Sequence, residues 1–323
     1  TNIGYPSLND ISLGNSTVVG DGASSAASYG TVFGKSATST GGQNVGIGSF
    51  SNVKTFGVSI GHSVVGGNNT VAIGYNAGHT SGENNVLVGY QAGSNGYTAE
   101  RNTMLGHRAG SSLRGTNNVI LGYDAAYILS GSSSANIILG SSTGNVAADI
   151  SYAIVIGDNA GYQLTGTAAT AADGVILIGK SAGRLFTSGS GNVAIGENAF
   201  YAAGARQYNT VLGSGAMYDA TTASKNVSIG YQSLANLTTG DSNVAIGYQA
   251  MDAGTTINNS IAIGKDAMGA VPAGQAVEYA VAIGVDAMKG GASTTAGING
   301  NIAIGYGAGK SLTNRTEERR VGK

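Results

Sequence analysis

The segments Asn192-Val-Ala-Ile-Gly196, Asn243-Val-Ala-Ile-Gly247 and Asn301-Ile-Ala-Ile-Gly305 are nearly identical, and they decide the fold. Aligning the chain on the last glycine of this motif gives twenty copies, from Gly4 to Gly305. The spacing of these glycines is 13 to 15 residues in most early copies and 17 residues in a long later run. Self-similarity at such a period is the sequence signature of a repeat architecture in which each unit stacks on its neighbours.

Each copy of the motif obeys rules of side-chain type. The residue before the glycine is always Ile, Leu, Val or Phe, and the residue three before it is always β-branched. These two positions fall on one face of a pleated strand, and β-branched residues favour strands. The residue three after the glycine is Ala in most copies, which predicts a tight corner. Asn precedes the strand in ten copies, and stacked turns of this kind are expected to form an asparagine ladder.

One strand, a glycine corner and 8 to 12 variable residues with a second short extended piece make up one coil. The predicted fold is therefore all-β, a parallel β-solenoid or β-roll of about twenty coils. We expect degenerate repeats in residues 1–20 and a continuous array in residues 21–310. Residues 311–323 form a charged tail without the motif, interpreted as a foreign addition or as a cap on the last coil.

The middle residue of each motif strand is also apolar in most copies. Strands that are apolar on both faces are usually buried on both faces, and one thin roll covers only one of them. We therefore expect the middle residues to form a core shared between identical chains. The predicted oligomer core consists of Leu87, Met104, Ile120, Ile138, Val155, Leu177 and Val211.

The units from Asn192 to Ala199 and from Asn243 to Ala250 read Asn-Val-Ala-Ile-Gly-x-x-Ala. This pattern resembles the head repeats of the trimeric autotransporter adhesins, of the YadA type, and the resemblance covers roughly residues 10–310. It implies a left-handed parallel β-roll assembled as a homotrimer. Similar repeats also occur in phage tail fibres.

Composition excludes several classes of protein. The 323 residues include 55 Gly but only 2 Pro, which argues against collagen, and 41% apolar residues, which argues against disorder. With 16 Lys and Arg against 17 Asp and Glu, there is no basic surface for nucleic acid. The chain has no Cys, and no apolar run is long enough to insert directly into a membrane.

The search for catalytic or metal-binding motifs is negative. His62, His79 and His107 have neither a second histidine nor a carboxylate at metal spacing, and the acidic residues are scattered. No nucleophile elbow, zinc-protease motif or phosphate loop is present. We therefore predict a protein that is not an enzyme, with no catalytic residue, no metal and no cofactor.

An aromatic row lies directly after the motif glycines. Its rings are expected either to stack on one another or to offer a ribbon of contacts to sugars or proteins. The row consists of Tyr75, Tyr90, His107, Tyr123, Tyr231, Tyr248 and Tyr306.

Together these features predict a structural or adhesive fibre segment, extracellular or on a cell surface, that displays loops for multivalent binding. Its partners would be further copies of itself and a host-surface glycan or protein. The alternatives are a phage tail-fibre shaft, on a virion, and an ice-binding solenoid. A solenoid lyase or hydrolase would require clustered charges on adjacent coils, which the sequence does not show.

Overall fold

The computed structural model describes residues 15–26, 28–78, 82–95, 99–129, 133–145, 150–164, 172–202, 204–271, 276–290, 298–310 and 320–321. The chain divides into two compact units, Thr1–Ala153 and Ile154–Lys323, which we call unit 1 and unit 2. The described residues of both contain strands and turns and no helix. The predicted all-β parallel solenoid is therefore confirmed.

Among its described residues, unit 1 contains one long parallel sheet and one short one. The long sheet, which we call its motif sheet, contains β1 (Thr17–Val19), β3 (Thr31–Phe33), β5 (Val45–Ile47), β7 (Val58–Ile60), β9 (Val71–Ile73), β10 (Val86–Val88), β11 (Thr103–Leu105), β12 (Val119–Leu121) and β13 (Ile137–Leu139), in that order. The short sheet contains β2 (Ser24–Ser25), β4 (Thr38–Ser39), β6 (Asn52–Val53) and β8 (Val65–Gly66). These are the second extended pieces predicted for each coil.

Unit 2 repeats this arrangement. Its motif sheet contains β14 (Ile154–Ile156), β15 (Ile176–Ile178), β17 (Val193–Ile195), β19 (Thr210–Leu212), β20 (Val227–Ile229), β21 (Val244–Ile246), β23 (Ile261–Ile263), β25 (Val281–Ile283), β26 (Ile302–Ile304) and β27 (Arg320–Val321). Two short sheets pair β16 (Phe186–Ser188) with β18 (Gly204–Ala205), and β22 (Thr256–Asn258) with β24 (Ala276–Glu278).

The motif strands of each unit stack in register, so that equivalent positions of the motif lie above one another. Between β10 and β11, for example, Val86 pairs with Thr103, Leu87 with Met104 and Val88 with Leu105. Every coil therefore contributes the same three positions to the sheet, and neighbouring coils are about 4.8 Å apart, the ordinary strand spacing.

The number of coils differs from the prediction. The solenoid has about 15 turns rather than twenty. Two of the twenty motif glycines, Gly4 and Gly14, lie outside the described residues. Of the predicted tail 311–323, the structure describes only β27, which pairs in parallel with β26. The predicted boundaries at residues 20 and 310 stay predictions.

The corner after each motif strand depends on left-handed backbone conformations. In the coil of Gly106, that glycine has a φ of 136°, Arg108 a φ of 52° and Gly110 a φ of 57°. Ala109 lies between the last two and is fully buried, which explains why a small residue is required there. The predicted tight corner is therefore present.

Two positions fill much of the interior of the longer coils, and in many of these coils a large residue at one position faces a small residue at the other. One is the middle residue of the motif strand, and the other lies four residues after the motif glycine. Where the strand contributes Met104 the second position is Gly110, and a Cβ there would lie 2.6 Å from the methionine sulfur. Where the strand contributes Ala245 the second position is Met251, and both are fully buried. Close packing of a narrow interior requires this exchange of volume.

The predicted asparagine ladder is present in both units. In unit 2, the backbone N–H and the side-chain amide of Asn209 both donate to Oδ1 of Asn192, each at 3.0 Å. Asn226 repeats these bonds to Asn209, at 3.0 and 3.2 Å. These side chains are buried, so the ladder pairs polar groups that would otherwise be costly to bury.

Candidate interaction surfaces

The inward and outward faces of the motif sheet are the reverse of the sequence prediction. The seven residues predicted as an oligomer core lie inside the coil of a single chain and are at most 5% exposed: Leu87, Met104, Ile120, Ile138, Val155, Leu177 and Val211. They therefore pack against their own chain and not against a partner. The reason is the corner geometry, which curls the chain toward the side of the middle residue.

The outward face of the sheet is apolar. In every motif strand from β1 to β26, the first and third residues are exposed or half-exposed. All of these side chains are Val, Ile, Leu or Phe, apart from the four threonines Thr17, Thr31, Thr103 and Thr210. Side chains among them that are more than a third exposed include Val86, Leu105, Val119, Ile137, Leu212, Ile302 and Ile304. Soluble monomers rarely expose a contiguous apolar surface of this kind.

The aromatic row of unit 1 is a continuous stack. Ring centroids are 5.2 Å apart between His62 and Tyr75, 5.3 Å between Tyr75 and Tyr90, 4.9 Å between Tyr90 and His107, and 4.7 Å between His107 and Tyr123. The ring planes are within 11° of parallel. Because the inner rings cover one another's faces, mainly their edges are left for a ligand.

The predicted row is shorter in unit 2. Tyr231 and Tyr248 stack at 5.4 Å, and the ammonium group of Lys265 lies 5.8 Å from the ring centroid of Tyr248. Tyr306 is 83% exposed. Stacking, one of the two interpretations of the row, is therefore confirmed for six of its seven residues.

No family model and no curated protein matches this chain. The parallel solenoid is compatible with a β-roll repeat, and the assignment to the trimeric autotransporter adhesins stays a prediction.

Within the described ranges, no group of three or more His, Asp or Glu residues is placed to hold a metal ion. His79 lies outside those ranges. His107 approaches Asp124, with Nδ1 and Oδ1 3.4 Å apart, and Asp124 also accepts a 2.7 Å hydrogen bond from Nε of Arg108. In the part of the chain that the structure describes, no helix is long and apolar enough to cross a membrane.

A polar groove on the surface of unit 2 was not predicted. Its volume is about 280 Å³, and its lining residues are Gly215, Tyr218, Asp219, Gln232, Ala235, Asn236, Gln249 and Asp252. The residues come from three consecutive coils, in which Gly215, Gln232 and Gln249 occupy one equivalent position and Tyr218, Ala235 and Asp252 another. The groove forms because the small side chain of Ala235 lies between the larger side chains of Tyr218 and Asp252.

The carboxyl group of Asp252 at this groove has an unusual environment. Its pKa is raised to about 6, first because the group is partly removed from water and second because the negative charge of Asp266 lies nearby. Lys289 compensates Asp266 through a 2.8 Å ion pair. Among the described residues, Asp252 forms no ion pair of its own, although the charge of Lys289 also acts on it. Sequence reasoning missed this carboxyl group because the array contains many scattered Asp residues.

Proposed function

We propose that this chain is a non-enzymatic segment of a fibre, in which the outward faces of the motif sheets pack against the same faces of identical chains. The observation that carries the proposal is the exposed double row of Val, Ile and Leu side chains along each unit. A symmetric oligomer removes such a surface from water by self-complementary contact, and each large aliphatic side chain so buried contributes about 1.5–3 kcal/mol.

The three-chain form of this assembly is supported by the resemblance of the repeats to adhesin heads. A rotation axis along the sheet would let the apolar faces of three chains meet at the centre and leave the corners and loops outside. Weak contacts made by those loops would then add through effective concentration, which is the multivalent display expected of an adhesive surface protein. We place the fibre on a cell surface or, as the alternative, in a phage tail.

Ice binding is the candidate from another class. It calls for a flat, regular row of small residues or threonines, and the outward face has only four threonines among bulky aliphatic side chains. The structure therefore gives this alternative no specific support.

The proposal is tested by co-expressing two copies of the chain that carry different affinity tags. Purification through one tag is expected to recover the other copy in stoichiometric amount, and addition of free tag is not expected to release it. Recovery of only the copy that carries the selected tag, at micromolar concentrations of both, would refute the assembly of identical chains.

A further inference from the structure

The groove of unit 2 has an aromatic ring with one free face. Tyr218 stacks on Tyr201 at a centroid distance of 4.8 Å and an angle of 6°, so that one of its faces is covered. In the next coil the equivalent position is Ala235, whose carbonyl accepts a 2.9 Å hydrogen bond from the backbone of Asp219. The stack therefore ends at an alanine, and the second face of Tyr218 borders the groove.

Amide side chains form one wall of the groove and are held in place. Nε2 of Gln249 donates to Oε1 of Gln232 at 3.0 Å, which orients both amides. This bond leaves the N–H₂ group of Gln232 as a donor and the Oε1 atom of Gln249 as an acceptor. Nδ2 of Asn236 donates to the carbonyl of Asp252 at 2.6 Å, which leaves Oδ1 of Asn236 as a further acceptor.

The charge of the groove excludes several ligand classes. Its lining includes two carboxyl groups, those of Asp219 and Asp252, and no Lys or Arg. An anionic ligand such as a phosphate or an acidic sugar would be repelled. A small cation could use the carboxylate and amide oxygens as ligands, but it would leave the N–H₂ donor of Gln232 and the free face of Tyr218 without a partner.

We propose that this groove binds a neutral saccharide. The ring face of Tyr218 packs against the C–H face of one sugar ring, while the amide and carboxyl groups hydrogen-bond to its hydroxyl groups. Polar groups that converge beside an aromatic surface are the usual composition of a small-ligand site, and the volume of about 280 Å³ suits one or two sugar rings. The raised pKa of Asp252 indicates that its carboxyl group is partly removed from water. The hydroxyl groups of a bound sugar would supply hydrogen bonds to it in place of that water.

This inference gives a ligand class to the proposed adhesive role, and it rests on the proposed function only for the display of the groove on a fibre. The groove itself is formed within one chain, and none of its lining residues belongs to a motif strand. A chain that binds saccharide but stays monomeric would refute the assembly and leave the groove. A chain that assembles but binds no saccharide would refute the saccharide site and leave the proposed assembly standing.

The test is isothermal titration calorimetry of the full chain with defined probes. Maltotetraose, cellotetraose and chitotetraose serve as neutral saccharides, trigalacturonic acid as the anionic counterpart and spermidine as the cation. We expect at least one neutral saccharide to bind with a millimolar or lower Kd and trigalacturonic acid not to bind. Absence of binding by all three neutral probes at millimolar concentration, or binding of spermidine alone, would overturn the proposal.

Three variants locate the site. Tyr218→Ala removes the ring and is expected to weaken binding about tenfold or more, which corresponds to about 1.4 kcal/mol. Tyr231→Ala removes a comparably exposed stacked ring outside the groove and should leave the affinity unchanged. Ala235→Tyr fills the groove and extends the Tyr201–Tyr218 stack, so binding should be lost while the melting temperature is kept. Equal affinities for the Tyr218→Ala and Tyr231→Ala variants, or full binding by the Ala235→Tyr variant, would contradict the assignment.

Discussion

Ile138→Asp is expected to prevent unit 1 from folding, whereas Ile137→Asp is expected to leave the coil folded and to abolish self-association. The two residues are neighbours in strand β13, but Ile138 is fully buried inside the coil and Ile137 is 39% exposed on the outward face. Truncation of Ile138 to Ala alone costs about 2–5 kcal/mol through lost contacts and an internal cavity. An aspartate there adds a buried charge without a partner, and the free energy required to bury it exceeds the net folding stability of an ordinary domain.

The charge at position 137 acts on a different interaction. In a single chain it stays in water, so the expected loss of stability is about 1 kcal/mol or less, the range of strand propensities. In the assembly it lies in an apolar interface and repels its copies on the other chains. Circular dichroism with urea unfolding measures the first effect, and light scattering measures the second. If the Ile138→Asp variant folded normally, or if the Ile137→Asp variant kept its oligomeric mass, the assignment of the two faces would be wrong.

Gly247→Ala is expected to destabilise unit 2 by about 2–5 kcal/mol, through backbone strain and overpacking together. Gly247 has a φ of 140°, a region that residues with a Cβ atom rarely adopt. A Cβ atom there would also lie 2.5 Å from the carbonyl oxygen of Gly264 in the next coil. The motif glycines stack in a column, and the backbone of each one packs against the Cα of the glycine in the preceding coil. A methyl group at one of these positions would push the two coils apart.

Gly174→Ala is the control for this column. Gly174 also has a positive φ, of 65°, but no atom of the described residues lies within 4 Å of the position of its Cβ. The alanine variant there should lose only the contribution of backbone strain, about 1–2 kcal/mol. Urea unfolding of both variants separates the two contributions. Equal losses at the two positions would show that close stacking of the coils does not depend on the glycine column.

The repeat, the strands and the corners could be predicted from the sequence because each has a local chemical cause. The motif fixes strand position through its β-branched residue, the corner through glycine and alanine, and the ladder through asparagine. These signals do not depend on distant parts of the chain, and they are repeated in many copies. The predicted parallel solenoid follows from them directly.

The two faces of the sheet were predicted in the wrong order because both are apolar. An alternation of side chains identifies the inward face only where the other face is polar. A usable signal was nevertheless present in the sequence. Large middle residues such as Leu87 and Met104 occur in coils that have Gly four residues after the motif glycine, whereas Ala245 and Ala262 occur in coils that have Met there. A large residue at one position together with a small residue at the other indicates that both side chains occupy the same interior, which identifies the middle residue as the inward one.

The groove in unit 2 could not be predicted from motif rules. It depends on Ala235 at a position where the two preceding coils have Tyr201 and Tyr218, and on the pairing of amides between adjacent coils. Neither feature repeats along the chain. Aligning the coils at the fifth residue after each motif glycine would have shown the gap, but not that Gln232 and Gln249 are bonded to each other.

The most direct test of the proposed fibre is the mass of the whole chain in solution, measured by light scattering during size-exclusion chromatography. We expect a single species with three times the mass of one chain and a mass that does not change on tenfold dilution. A stable species with the mass of one chain would contradict it, because the outward rows of Val, Ile and Leu would then remain in contact with water.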